Sequence, residues 1–286
     1  MSKQLKSDIV LTLVTMVWGT TFIIVKNAIQ TLPVYNFLFL RFFLAFFLLI
    51  VIFWKKLTNL NKRVLIISSI IGVMLFSGYA FQTMGLKYTT ASKSGFITGF
   101  SVVLVPLLET FLLKRKPTKL AIIGVFHAFI GLVFLTTNIN LSVNIGDILT
   151  LFCAFAFAIH IVLISKYAST LDSYLLATMQ IGVVALLSGI TSIIFEKPFI
   201  PSSLKVWSAI IITGVLATAF AFVAQNKMQA YTTATHTALI FSMEPVFAAI
   251  AAFLIGKEVM SPRAIIGGIF MLAGIVLSEL PEKVAR

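Results

Sequence analysis

Long apolar runs, broken by short polar punctuation, set the pattern of this chain. A helix needs about 20 apolar residues to cross a hydrocarbon core. Ten runs approach that length, at about 8–29, 34–54, 63–86, 91–113, 119–137, 146–167, 172–195, 204–227, 232–255 and 262–280. The breaks carry turn chemistry, as at Leu32-Pro33, Asn59-Leu60-Asn61, Lys116-Pro117, Asn138 to Asn144, Pro198 to Ser203 and Ser261-Pro262. The pattern predicts an all-α integral membrane protein with ten transmembrane helices. Short loops make consecutive helices antiparallel neighbours and leave no room for a separate soluble domain. The first run, from Ile9 to about Ile29, exceeds the apolar region of a signal peptide and no A-x-A cleavage motif follows it. It is expected to be the first span.

Composition supports lipid as the solvent. Apolar residues make up 59% of the 286 positions and charged residues 11%, against about 25% charged in a soluble domain. The net charge of +13 would suggest nucleic acid on a soluble protein. Here the basic residues cluster between apolar runs, as in cytoplasmic loops, and no basic face recurs along a helix, so nucleic-acid binding is excluded. One set of span ends holds Lys3, Lys6, Lys55, Lys56, Lys62, Arg63, Lys114, Arg115, Lys116, Lys119, Lys166, Lys227, Lys283 and Arg286, which is 14 of the 22 basic residues. That bias predicts both termini in the cytoplasm and a multi-pass protein of the cell inner membrane. The single cysteine, Cys153, cannot form an internal disulfide and reads as a small buried hydrophobe. No histidine pair has metal-ligand spacing, so neither a metal site nor a cofactor is expected.

The chain repeats itself. Tyr88-Thr89-Thr90-Ala91-Ser92 returns as Tyr231-Thr232-Thr233-Ala234-Thr235, an offset of 143 residues. The same offset pairs Gln82 with Gln225, Ile97 with Ile240, Gly124 with Gly267 and Gly131 with Gly274. Two units follow, at 1–140 and 141–286, each with five spans. An odd number of spans sends the second unit into the bilayer from the opposite side, so the two repeats are expected to be inverted. That architecture is typical of secondary transporters, with a site at the interface of the repeats. Small residues at four-residue spacing, Ala91, Gly95 and Gly99 in span four, and Gly124 and Gly131 with Gly267 and Gly274 in spans five and ten, read as close-packing stripes.

With Trp18-Gly19-Thr20-Thr21-Phe22 in span one, Tyr-Thr-Thr-Ala-Ser/Thr opening spans four and nine, and Glu244-Pro245-Val246 in span nine, the chain resembles the EamA-type permeases of the drug/metabolite transporter superfamily over nearly its whole length. The resemblance implies export or exchange of amino acids, nucleobases, sugars or drugs without ATP. It also implies a basket whose central cavity is lined by spans one, three, four, six, eight and nine. The chain departs from the family pattern at Lys114-Arg115-Lys116, where a Gly-Glu-Arg-like turn is common, and keeps Gly256-Lys257-Glu258 in the second copy.

Ionisable groups at membrane depth cost roughly 2.5–3.5 kcal/mol or more at the bilayer centre, so each needs a reason. Glu244, at the middle of span nine, is the deepest carboxylate, and Pro245 after it removes a backbone donor. It reads either as a site for a proton or a substrate amine, or as a helix-packing hydrogen bond. Glu109 is expected to pair with the Lys114–Lys116 cluster. Arg41 is expected to snorkel outward, with pairing to Glu244 or a substrate carboxylate as alternatives. His160 falls in a cavity-type helix, where it is either a packing residue or a contact for substrate or proton; His127 and His236 read as packing residues. The candidate substrate contacts are Trp18, Tyr79, Gln82, Phe100, Phe157, His160, Gln225, Ser242 and Glu244.

The expected function is secondary active transport, as exporter or exchanger, of a small metabolite such as an amino acid or drug-like solute, by alternating access at a central midplane cavity. Proton coupling is possible chemistry at Glu244, and a monomer suffices for the cavity. A lipid flippase or scramblase is the alternative, and a membrane enzyme is disfavoured because no nucleophile, acid/base or metal constellation converges. No GxxxxGK[ST] sequence is present to drive transport with ATP.

Overall fold

The computed structural model describes residues 3–113, 119–136, 144–232 and 234–279. All regular structure among them is helical, as lipid requires of a chain whose backbone groups must be satisfied within each segment. The helices are α1 Lys3–Ala28, α2 Val34–Phe53, α3 Lys62–Leu86, α4 Ala91–Leu113, α5 Lys119–Thr136, α6 Ile145–Tyr167, α7 Ser173–Phe195, α8 Leu204–Ile211, α9 Ala221–Gln229, α10 Ala234–Phe241, α11 Glu244–Gly256 and α12 Pro262–Glu279. A 3₁₀ turn, Trp54–Asn59, extends α2, and a π-helical stretch, Ile212–Phe220, joins α8 and α9 into one run. Seven runs are long and apolar enough to cross a membrane: Lys3–Ala28, Val34–Asn59, Lys62–Leu86, Ala91–Glu109, Ile145–Tyr167, Ser173–Phe195 and Leu204–Gln229. Ile122–Phe134, Glu244–Gly256 and Pro262–Gly274 are apolar but shorter.

The run expected at 232–255 is not one helix. It breaks at Ser242 and Met243. Pro245, at the first turn of α11, has no N–H to give to the carbonyl one turn back. The chain closes the gap with tighter bonds, Met243 N to Ile240 O at 3.2 Å and Val246 N to Met243 O at 3.1 Å. Pro106 lies inside α4 without splitting it.

Packing follows an exchange symmetry between α1–α5 and α6–α12. α2 runs along α7 and α5 along α12; α3 meets α6 as α1 meets α9; α4 meets α6 as α1 meets α11; α3 meets α7 as α2 meets the π stretch. The α5–α12 crossing is glycine-dependent. A Cβ on Gly131 would lie 2.5 Å from the Met271 amide nitrogen, and one on Gly274 would lie 2.5 Å from the Gly124 carbonyl, so only glycine lets the two backbones approach.

Large apolar side chains such as Ile193, Phe195, Phe253 and Leu254 face outward, while Arg41, Gln180 and Asn226 are buried. Polar contacts tie the helix ends. At one end of the bundle, Glu258 accepts from Lys26 Nζ at 2.9 Å and from the amides of Ala91 and Ser92 at 3.1 and 3.2 Å. Beside it, Asp147 accepts from the Thr89 hydroxyl and faces Lys93 Nζ at 3.6 Å, while Glu196 accepts from the Tyr35 and Asn36 amides. At the other end Lys56 Nζ lies 2.6 Å from Asp172, which caps α7, and Lys227 donates to the Tyr174 hydroxyl at 2.7 Å. Partial burial opposes ionisation of Glu258 and Asp172. Lys26 with two α4 amides, and Lys56 with the amides of Leu175 and Tyr174, outweigh it and hold both carboxyls below the usual range.

Candidate functional site

A cavity opens between the two halves. Its walls come from α1 (Trp18, Thr21, Phe22), α3 (Leu75, Tyr79, Gln82), α4 (Thr98, Ser101), α6 (Phe157, His160, Ile161), α9 (Phe222, Gln225), α10 (Phe241) and α11 (Glu244). These are the segments that the family resemblance assigns to a cavity.

One part of the wall is aromatic. Trp18 stands 5.4 Å from Phe222 and 5.1 Å from Phe241, ring centre to ring centre, and Tyr79 stands 5.3 Å from Phe157. Trp18 is fixed by its indole N–H, which donates to Ala217 O at 2.9 Å. That acceptor exists because the π stretch shifts the ladder: the Ala221 amide reaches past Ala217 to Leu216 O. Gly19, next to Trp18, admits α11. A Cβ there would lie 2.6 Å from Phe247 Cβ and 2.8 Å from Glu244 O.

The π stretch also receives Arg41. Instead of snorkelling outward, Arg41 is 2% exposed. Its Nε donates to Thr218 Oγ1 at 2.8 Å and its Nη2 to the Tyr79 hydroxyl at 3.3 Å. The guanidinium lies 4.6 Å from the Tyr79 ring centre and 5.1 Å from that of Phe42. Aromatic faces and hydroxyls inside the bundle thus take the place of water. Arg41 stands behind Tyr79 and outside the cavity lining.

Two polar chains run from the cavity into the packed interior. His160 Nε2 lies 2.8 Å from Gln180 Oε1; Gln180 Nε2 donates to Asn226 Oδ1 at 3.3 Å; Asn226 Nδ2 donates to Phe222 O at 2.6 Å. In the second chain, Gln225 Nε2 donates to Gln229 Oε1 at 3.2 Å and Gln229 Nε2 to Ile161 O at 3.0 Å. On the facing side Gln82 donates to Thr98 Oγ1 at 3.2 Å, which also contacts Cys153 Sγ at 3.8 Å.

Glu244 lines the cavity at the start of α11. Its carboxyl makes no side-chain hydrogen bond or ion pair among the described residues, so the helix-packing role has no partner there. Its mate at the 143-residue offset, Ser101, lines the same cavity.

Of the nine residues singled out from the sequence, Trp18, Tyr79, Gln82, Phe157, His160, Gln225 and Glu244 meet in this cavity. Phe100 is buried in the apolar cluster that includes Leu132 of α5 and Met271 of α12. Ser242 is buried at the α10–α11 break. His127 is half-buried, with Nδ1 2.9 Å from Ile123 O. The side chain of His236, and the Lys114–Lys116 cluster proposed for Glu109, lie outside the described residues. Sequence reasoning missed the supports Gln180, Asn226 and Gln229; each is an amide inside an apolar run, and that was the available signal. No cluster of three potential metal ligands occurs among the described residues.

A family model described as the EamA-like transporter family matches the chain twice, over residues 5–137 and 144–280. The chain is 35% identical to an uncharacterised transporter of Archaeoglobus fulgidus, covering 97% of this chain and 87% of that one. It is 28% identical to the uncharacterised transporter YyaM of Bacillus subtilis over 82% of this chain and 80% of that one. A solved crystal structure matches with a TM-score of 0.72 at 17% identity, covering 97% of this chain and 98% of the other, which supports the fold.

Proposed function

Because the chain belongs to the EamA-like transporter family and is a multi-pass membrane protein, we propose that it is a secondary active transporter of a small metabolite. It works as an exporter or exchanger, by alternating access at the cavity described above. The carrying observation is that both halves contribute to one largely apolar cavity in which a carboxylate, Glu244, has no side-chain partner among the described residues. A carboxylate at membrane depth with no side-chain partner among the described residues is costly, and a proton or a substrate cation would offset that cost.

Ten crossings, counting α5, the α10–α11 pair and α12, give two five-span units at 1–140 and 141–286. The exchange symmetry of the packing supports that they are inverted. Both termini then lie in the cytoplasm, the location being the cell membrane. A cavity walled within one chain makes a monomer sufficient. Catalysis has no set of converging reactive groups to run on among the described residues, so the reading is of a transporter and not an enzyme.

Purified protein in liposomes, screened for solute flux with and without a pH gradient, tests this. Glu244→Gln is expected to cut gradient-driven flux by tenfold or more, roughly the consequence of removing one charge-assisted contact. Undiminished and still pH-driven flux in that variant would sink the coupling role; absence of flux for every solute would sink the transporter reading.

A further inference from the structure

The two polar chains behind the cavity have a direction, and the direction is fixed at their inner ends. A backbone carbonyl can only accept. Phe222 O therefore requires the Asn226 amide nitrogen at 2.6 Å; a flipped side chain would set two oxygens against each other. Asn226 Oδ1 must then accept from Gln180 Nε2, and Gln180 Oε1 must accept from His160. His160 thus carries its proton on Nε2, and Nδ1 is left as a lone-pair acceptor. His160 lines the cavity, and Nδ1 has no partner among the described residues. The same logic holds in the second chain. Ile161 O fixes Gln229 Nε2 as donor, so Gln229 Oε1 accepts from Gln225 Nε2. Gln225 Oε1 is left buried and without a partner among the described residues, on a side chain that lines the cavity. Gln180 and Asn226 are fully buried and Gln225 and Gln229 nearly so, so no water competes to reverse either chain.

We propose that the cavity reads a donor-bearing nitrogen: its ligand carries a primary amine on an apolar or aromatic body. His160 Nδ1, Gln225 Oε1 and the Glu244 carboxylate supply three acceptors in one cavity, matching the three N–H bonds of an ammonium group. The faces of Trp18, Tyr79, Phe157, Phe222 and Phe241 take the rest. A carboxylate would meet acceptors only. A quaternary ammonium would keep its attraction to the aromatic faces but leave the acceptors unpaired, which is costly at a buried site. Gln180, Asn226 and Gln229 are positioning residues: they touch no ligand and act by fixing which atom His160 and Gln225 present. This inference rests on the reading of the cavity as the substrate site.

The test is equilibrium binding to the purified full chain in detergent, with three matched probes: 2-phenylethylamine, its N,N,N-trimethyl counterpart and 3-phenylpropanoate. The amine is expected to bind at least about tenfold more tightly than either comparator, the worth of one well-made charged hydrogen bond. Gln225→Leu should erase most of that preference while still binding the trimethyl probe, which needs only the aromatic faces and so reports that the cavity of the variant is folded. Gln180→Leu should lower the preference for the amine over the trimethyl probe, a ratio that a merely structural role would not move. A smaller preference, no binding of any probe, or a preference untouched by both leucine variants overturns the proposal. Liposome uptake of the same amine is measured in parallel. Tight, selective binding without uptake leaves the donor-reading cavity standing and counts against the transport reading alone.

Discussion

Arg41 and Gly19 carry the sharpest consequences at the scale of single residues. Arg41 uses geometry as well as charge: Nε reaches Thr218 while Nη2 reaches Tyr79, and the flat guanidinium lies against Tyr79 and Phe42. Lysine keeps the charge but offers one nitrogen and no plane. Arg41→Lys is therefore expected to cost about 2 kcal/mol, the worth of one lost hydrogen bond to a charged group. Reversible unfolding in mixed detergent micelles measures it, and an unchanged midpoint would show that the clamp contributes nothing. Gly19 meets the backbone oxygen of Glu244 and Cβ of Phe247, atoms that cannot swing aside. Gly19→Val should push α11 and Glu244 away from α1, costing about 1–3 kcal/mol of packing strain together with most transport. A variant that transports normally would contradict the close crossing. Neither consequence was equally legible in the sequence. Trp18-Gly19 and Glu244-Pro245 announce themselves as motifs, and Glu244 stands out as an acid in an apolar run. Arg41 is misread because its partner Thr218 lies 177 positions away and is turned toward it by a π segment.

That π segment shows where elements escape a pattern of apolar spacing. Hydropathy places the run near 204–227 without difficulty, but widening the ladder leaves every residue apolar. What changes is which carbonyls are free, and Ala217 O becomes the seat of Trp18. The break between α10 and α11 is closer to readable, since Pro245 demands it. Asp172 caps α7 by a local rule, but the starts of α2 and α4 are held by carboxylates far away in sequence, Glu196 and Glu258. Glu258 caps α4 across the bundle through the Ala91 and Ser92 amides and pairs with Lys26. Glu258→Gln should lower stability by about 1 kcal/mol, the usual worth of an N-terminal cap. Its pH dependence has a defined sign. Glu258 is held below the ordinary glutamate range, so its contribution is fully present above about pH 4.3 and is lost as pH falls through the lower folded value. The gap in thermal stability between wild type and Glu258→Gln should stay constant from neutral pH down to that range and close below it. A gap that widens on acidification would mean the carboxylate is protonated where it sits.

At the scale of the whole molecule, the end contacts sort into two sets. Lys26, Glu258, Asp147, Thr89 and Glu196 gather at one end of the bundle, and Lys56, Asp172, Tyr174 and Lys227 at the other. A chain that crosses ten times with its basic-rich end in the cytoplasm puts the second set inside and the first outside. Lys55 and Lys257 are exposed and belong to opposite ends, so each reports one face. In a Cys153→Ala background, Lys257→Cys should react with a membrane-impermeant maleimide on intact cells, and Lys55→Cys only after permeabilisation; the reverse pattern would invert the topology. The proposed alternating access adds a mechanical demand: the contact of Lys26 with Glu258 would have to open once in each cycle for the cavity to face outward. Cysteines at positions 26 and 258, bridged by a bifunctional maleimide of matching span, should stop flux while leaving amine binding from the cytoplasmic side intact. The same reagent on either single cysteine should have little effect. Flux that continues through the bridge would mean that solute leaves by a route other than the separation of α1 from the α11–α12 corner, and a laterally opening, lipid-handling cavity would then become the better account of the same residues.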